Sequence, residues 1–196
     1  MDNPRSGWIN TRDLLFVAML ATLSFLVENS LGLILIPLVS GVPLIGGTLS
    51  AIPDAAIVFL GAYLVPRRGG ILLFATLLLT LSTVTPSFGP PGIYKIVIGL
   101  GLGIIFEVLL LVSRKTPMYI LATAVVFAAS VPVTYLAWTM FKLPGVQYLR
   151  QRIPFLVAVY FLEGGIGSWL GWILYEKRLS RLRAIQRIRS GMPSDQ

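Results

Sequence analysis

The chain has 196 residues, 56% of them hydrophobic and only 12% charged, with a net charge of +8 and neither cysteine nor histidine. A soluble domain carries about twice that charged fraction, so the composition is that of a polytopic membrane protein. The missing cysteine excludes thiolate metal sites and disulfide frameworks, and the missing histidine removes the commonest general base and metal ligand. The basic residues lie between apolar runs, which argues against nucleic acid as a partner.

A spanning helix needs roughly 20 mostly apolar residues. Six segments answer to that in chain order: 13–29, 48–65, 70–84, 94–113, 118–139 and 154–175. The first follows "NTRDLLFVAML" and has no small-residue cleavage site after it, so it reads as a retained helix rather than a signal peptide. The segment "SLGLILIPLVSGVPLIGG" comes next, apolar but interrupted by Pro37, Gly41, Pro43, Gly46 and Gly47. Two readings of residues 30–47 stay open. One is a lid or re-entrant loop, which survives at membrane depth only when buried in protein or lining a cavity. The other is a first helix that simply continues to Ile36. The third span is short. After the sixth, "EKRLSRLRAIQRIRS" spaces Leu179, Leu182, Ile185 and Ile188 three apart among arginines. That is either a basic amphipathic helix on the inner leaflet or a solvated end that sets topology. The expected organisation is one six-helix membrane domain over 1–175 and a basic cytoplasmic tail over 176–196.

Of the 16 basic residues, all but Lys95, Lys142, Arg150 and Arg152 fall before the first span, in the turns after the second and fourth, or after the sixth. Basic loops stay in the cytoplasm. Both termini are therefore expected there, which agrees with an even number of spans. Trp8, Tyr63, Tyr119, Trp138, Trp172 and Tyr175 lie near span boundaries and read mostly as interfacial belt residues.

An ionised side chain at mid-bilayer costs about 2.5–3.5 kcal/mol on insertion scales, so each one asks for a reason. Glu28, Asp54, Lys95 and Glu163 fall in the expected outer half and Glu107 in the inner half. Lys95, Gly99, Gly103 and Glu107 are spaced by four along one stripe, but about 18 Å separates its ends. Lys95 and Glu107 therefore need separate partners. The outer group reads as a polar pocket, with Tyr94, Tyr135 and Trp138 as aromatic candidates for its wall. Blander readings are a Lys95 that snorkels to the headgroups and an internal Asp54–Lys95 pair. Glu163, Gly167 and Gly171 repeat the four-residue spacing, and small residues so placed let helices approach closely. Ala18 and Thr22 form another small pair.

Serine-based intramembrane proteolysis lacks a base here, an aspartyl pair lacks a second buried aspartate beside Asp54, and no P-loop occurs. The expectation is a non-enzyme without cofactor.

The motifs taken together resemble the substrate-binding S components of energy-coupling factor (ECF) vitamin transporters. "TRDLLFVAMLATLSFL" looks like that family's first helix, "IPDAAIVFLGAYLVPRRGG" like its second helix and basic turn, and "SFGPPGIYKIVIGLGLGIIFEVLLLVSR" like its outer loop and fourth helix. "GAYLVPRRGG" and the fourth helix are most similar to the hydroxymethylpyrimidine/thiamine branch, although the third span lacks that branch's acidic residues. The resemblance implies an all-α integral membrane protein of the plasma membrane, with six spans and cytoplasmic ends. It further implies a vitamin or precursor bound in the outer half, where the residues themselves offer Glu28, Asp54, Lys95, Tyr94, Tyr135, Trp138 and Glu163 as candidates. Ala18 and Thr22 would dock to a coupling transmembrane protein that works with two cytoplasmic ATPases. The alternatives are a structural or assembly subunit of similar design, with internally paired charges, and a stand-alone ion-coupled transporter relaying protons through Glu107 and Glu163.

Overall fold

The computed structural model describes residues 9–38, 45–86 and 89–181, with the side chains of 32–38, 45–50 and 148 left aside. The described residues form six α-helices: α1 (Thr11–Leu38), α2 (Ile45–Leu64), α3 (Gly70–Leu81), α4 (Tyr94–Val112), α5 (Thr116–Met140) and α6 (Val146–Lys177). Short 3₁₀ turns, Ser82–Val84 and Leu179–Arg181, follow α3 and α6. No β-strand occurs among the described residues. Thr11–Leu31, Tyr94–Val112, Thr116–Met140 and Leu149–Arg181 are long and apolar enough to cross a membrane, and Ala51–Leu64 and Gly70–Val84 are shorter apolar helices. The chain is thus a helical membrane protein.

Two boundaries differ from expectation. Helix α1 runs through Gly32 and Pro37 to Leu38, and α2 already begins at Ile45. The continuing-helix reading therefore holds for residues 30–38, and residues 39–44 lie outside the described part. Pro37 sits in the last turn of α1, where it disrupts only the end of the ladder. Helix α6 starts eight positions before the expected 154, with Pro154 in its interior. The carbonyl that Pro154 leaves unbonded is that of Arg150, an exposed residue, where water can satisfy it. The 32 residues of α6 reach about 48 Å, well beyond a hydrocarbon core of about 30 Å. Arg150 and Arg152 accordingly occupy a projecting end. The tail beyond Arg181 falls outside the described residues.

Without a hydrophobic driving force between helices in lipid, packing must come from close approach. The most extensive contacts are α5–α6, α2–α6 and α3–α4, while α1 rests on α2 and α3. Glycines explain why. A Cβ on Gly167 would collide with the Ile52 carbonyl of α2, and one on Gly171 would lie 2.9 Å from the Ala56 carbonyl. On another face of α6, a Cβ on Gly164 would lie 2.9 Å from Ala124 Cα of α5. Helix α6 is thereby wedged between α2 and α5.

The tyrosines expected in an interfacial belt instead build core. Tyr119 and Tyr175 are buried, and both meet Tyr63 edge-on, with ring centroids 5.4 and 5.0 Å away. Tyr63 stacks on Phe59 at 5.3 Å. Each such pair contributes about 0.5–1.5 kcal/mol beyond simple burial, and this cluster ties α2, α5 and α6 together.

Candidate functional site

Helix α3 has only 12 residues, about 18 Å, and the α4 stripe spans the same length. At one end, backbone N–H of Gly69 donates to Glu107 Oε1 at 2.8 Å, and the N–H groups of Ile71 and Leu72 also aim at this carboxylate. Gly69 has φ +82°, a left-handed conformation that glycine adopts without strain. At the other end, the fully buried Lys95 donates from Nζ to the carbonyls of Ser82 (2.9 Å) and Thr85 (2.6 Å). A carboxylate thus sits on the positive end of α3 and an ammonium on its negative end, each with the stabilising sign. Between them, a Cβ on Gly99 would lie 2.7 Å from the Ala75 carbonyl, and one on Gly103 2.7 Å from Leu72 Cα. The whole stripe faces α3. Lys95 does not snorkel. Its partners are carbonyls of the 3₁₀ turn that ends α3.

The Glu107 end carries further ties. Arg114 donates to the Pro66 carbonyl and lies 4.0 Å from Glu107 Oε2. Arg67 Nε pairs with Asp13 Oδ2 at 2.5 Å. Asn10 caps α1 by accepting from Asp13 N–H at 2.8 Å.

At the Lys95 end, side chains from four helices gather. The buried face of α1 runs Val17, Ala21, Ser24, and Glu28 is the next position one turn on. Ser24 Oγ donates to Asp54 Oδ1 on α2, and both residues are buried. Glu28 lies within electrostatic range of Asp54 and of Lys95. Tyr160, on α6, lies within range of both Glu163 and Glu28. Glu28, Asp54 and Lys95 therefore share one region, and Tyr160 lies beside both that region and Glu163. Glu28 Oε2 is buried there with no hydrogen-bond partner. A buried polar oxygen left unsatisfied is costly, and such exceptions call for an explanation.

Ser24 and Tyr160 escaped the sequence reading. Each was within reach of it, because Ser24 lies four positions before Glu28 and Tyr160 three before Glu163, both helical same-face spacings.

The aromatic candidates are placed differently. Tyr94 is buried and donates to the Pro90 carbonyl at 2.6 Å. Tyr94 and Trp138 converge on Gly89, whose φ is +100° and whose place no Cβ could share with the Trp138 ring. Phe141 lies 6.1 Å from the Tyr94 ring. These side chains brace the turn before α4. Tyr135 is half-buried on α5. Ala18 is half-buried and Thr22 exposed on α1, where Thr22 Oγ1 donates to the Ala18 carbonyl at 2.9 Å. The exposed Leu15, Met19, Leu23 and Leu26 surround this pair.

Among the described residues, no three acidic side chains converge closely enough to hold a metal ion. Comparison with protein-family models, with curated proteins and with solved structures returns no match to this chain.

Proposed function

We propose that this chain is the substrate-binding membrane subunit of an ATP-driven importer of the ECF type, taking up a vitamin or vitamin precursor such as thiamine or hydroxymethylpyrimidine. In this reading all six helices cross the plasma membrane, both termini are cytoplasmic, and the Lys95 end faces outward. A coupling membrane protein and two ATPases complete the transporter, with Ala18 and Thr22 of α1 on the docking face. The observation that carries the reading is Glu28, whose buried Oε2 lacks a hydrogen-bond partner and which lies within electrostatic range of Asp54, Lys95 and Tyr160 from three other helices. Polar groups concentrated at such expense within a membrane bundle serve a ligand or an ion path. A proton relay through Glu107 has less support, since that carboxylate is engaged by the backbone of α3.

The test is to purify the protein in lipid nanodiscs, denature it and identify released small molecules by mass spectrometry. A vitamin or precursor in near-stoichiometric amount is expected. No released molecule, together with no vitamin that raises the melting temperature, would overturn the reading in favour of a structural subunit.

A further inference from the structure

The basic residues at the Glu107 end of the molecule divide into two sets. Arg67 is paired with Asp13, and Arg114 with the Pro66 carbonyl and Glu107. Arg68, Lys115, Lys177, Arg178 and Arg181 are exposed, and no ion pair engages them among the described residues. Tyr63, in the last turn of α2, brings their elements to one end. Its ring meets Tyr119 in the first turn of α5 and Tyr175 in the last turn of α6, and its hydroxyl lies 3.3 Å from Thr116 Oγ1. Against those five cations, Glu176 is the exposed acidic residue at this end among the described residues.

Local structure does not account for the second set. Arg68 stands two positions before α3, and Lys115 occupies the N-cap of α5, where a cation has the unfavourable sign for the helix dipole. Topology asks for basic loops but neither for their convergence nor for their lack of partners. Apolar surface begins where these cations stop. Leu111 and Val112, just before Lys115, are 68% and 79% exposed, and Leu174, three positions before Lys177, is 46% exposed. They belong to helices long enough to cross a membrane, so charge and apolar face meet at headgroup depth.

From this we infer that the Glu107 end is a seat for an anionic phospholipid, its phosphate on these cations and its acyl chains on the apolar surface beside them. Clusters of four to eight basic residues next to a membrane span attract anionic headgroups, each cation adding about fivefold in affinity. A free anion would leave the neighbouring apolar face unused. The seat lies about 18 Å along α4 from Lys95, and it stands whether or not the chain is an importer subunit.

The test is native mass spectrometry of the purified protein in neutral detergent, with equimolar dioleoylphosphatidylglycerol and dioleoylphosphatidylcholine. Phosphatidylglycerol adducts are expected to exceed phosphatidylcholine adducts at least tenfold. The preference should fall at least fivefold in Lys115→Gln/Lys177→Gln/Arg178→Gln/Arg181→Gln. It should persist in Lys115→Arg/Lys177→Arg, which keeps the charge, and in Arg150→Gln/Arg152→Gln at the other end of α6. The wild-type melting temperature in phosphatidylcholine checks that each variant is folded. Equal adducts with both lipids would overturn the seat and leave the cations to topology or to an acidic protein partner. Displacement of phosphatidylglycerol by an equal concentration of glycerol 3-phosphate would overturn it in favour of a free phosphate site. Loss of preference in Arg150→Gln/Arg152→Gln alone would place the lipid at the opposite end and overturn it as well.

Discussion

Helices α4 and α6 carry the same written pattern, a charge followed by glycines at four-residue spacing, and use it differently. On α4, the glycines bring the helix against the backbone of α3, and the charges at both ends of the stripe terminate on that backbone. On α6, Gly167 and Gly171 bring the helix against α2 in the same manner, but Glu163 lies within range of Tyr160, which is also in range of Glu28. In the first case a charge completes a helix end. In the second, the carboxyl group sits beside a tyrosine that also neighbours another buried carboxyl. Glycines at this spacing therefore report close packing in both helices, and the destination of the neighbouring charge separates architecture from a binding site.

The largest expected effect is on the packing that the two stripes share. Gly103→Leu places atoms inside the Leu72 backbone, and Gly167→Leu places them inside the Ile52 carbonyl. Backbone cannot yield as a flexible side chain does, and overpacking of this kind costs about 1–3 kcal/mol or more. Both variants should lose the monodisperse species on size-exclusion chromatography in detergent. Gly165→Ala is the matched control, because its Cβ meets only Ala124 Cβ at an ordinary 3.9 Å. Recovery of well-folded Gly103→Leu protein would mean that α4 does not seat on α3 as described.

An intermediate effect tests whether the two regions communicate through Lys95, which belongs to both. Lys95→Met leaves the Ser82 and Thr85 carbonyls without their donor and Glu28 without its nearest cation. Removing one partner of a buried charged pair costs about 3–5 kcal/mol. Adding Glu28→Gln to that background removes the stranded charge and should restore part of the loss. A coupling of about 0.5–3 kcal/mol is the usual range for contacting residues. Equilibrium unfolding of the two single variants and the double variant measures it. Strict additivity would sever Lys95 from Glu28.

The sequence made the charges and the spans legible for distinct physical reasons. Apolar length alone marked six segments, and period-four spacing alone put Lys95, Gly99, Gly103 and Glu107 on one face. The same arithmetic showed that Lys95 and Glu107 could not pair, yet it gave no partner for either. Their partners are backbone groups at the ends of α3, and backbone carbonyls and amides leave no mark in a residue pattern. For the same reason Lys95 read as snorkelling or as a ligand group. The tyrosines were misread because residues 63, 119 and 175 fall near span boundaries both in a belt and in a core, and only tertiary contact distinguishes the two. Pro37 and Pro154 marked expected boundaries but lie inside helices, since a proline stops a helix only where the freed carbonyl finds no other partner. Glu28, Asp54 and Glu163 stood out because a carboxylate in an apolar run is conspicuous, whereas Ser24 and Tyr160 are ordinary residues in a membrane helix.

The smallest expected effect isolates the two roles of a membrane carboxylate. Glu107→Gln keeps an oxygen for Gly69 N–H and gives up only the charge on the α3 N-terminus and its attraction to Arg114. A charge at a helix terminus contributes about 0.3–1 kcal/mol, rising toward about 2 where partly buried, so a loss of about 1 kcal/mol in equilibrium unfolding is expected. Ligand affinity should stay within about twofold of wild type, because no side chain of the Glu28 region touches Glu107, which lies about 18 Å along α4 from Lys95. The isosteric Glu163→Gln makes the opposite trade, with little change in stability and a large loss of binding. If instead Glu107→Gln abolished uptake while leaving the fold intact, the carboxylate would be handling protons rather than completing α3. The stand-alone ion-coupled transporter would then displace the ATP-driven one.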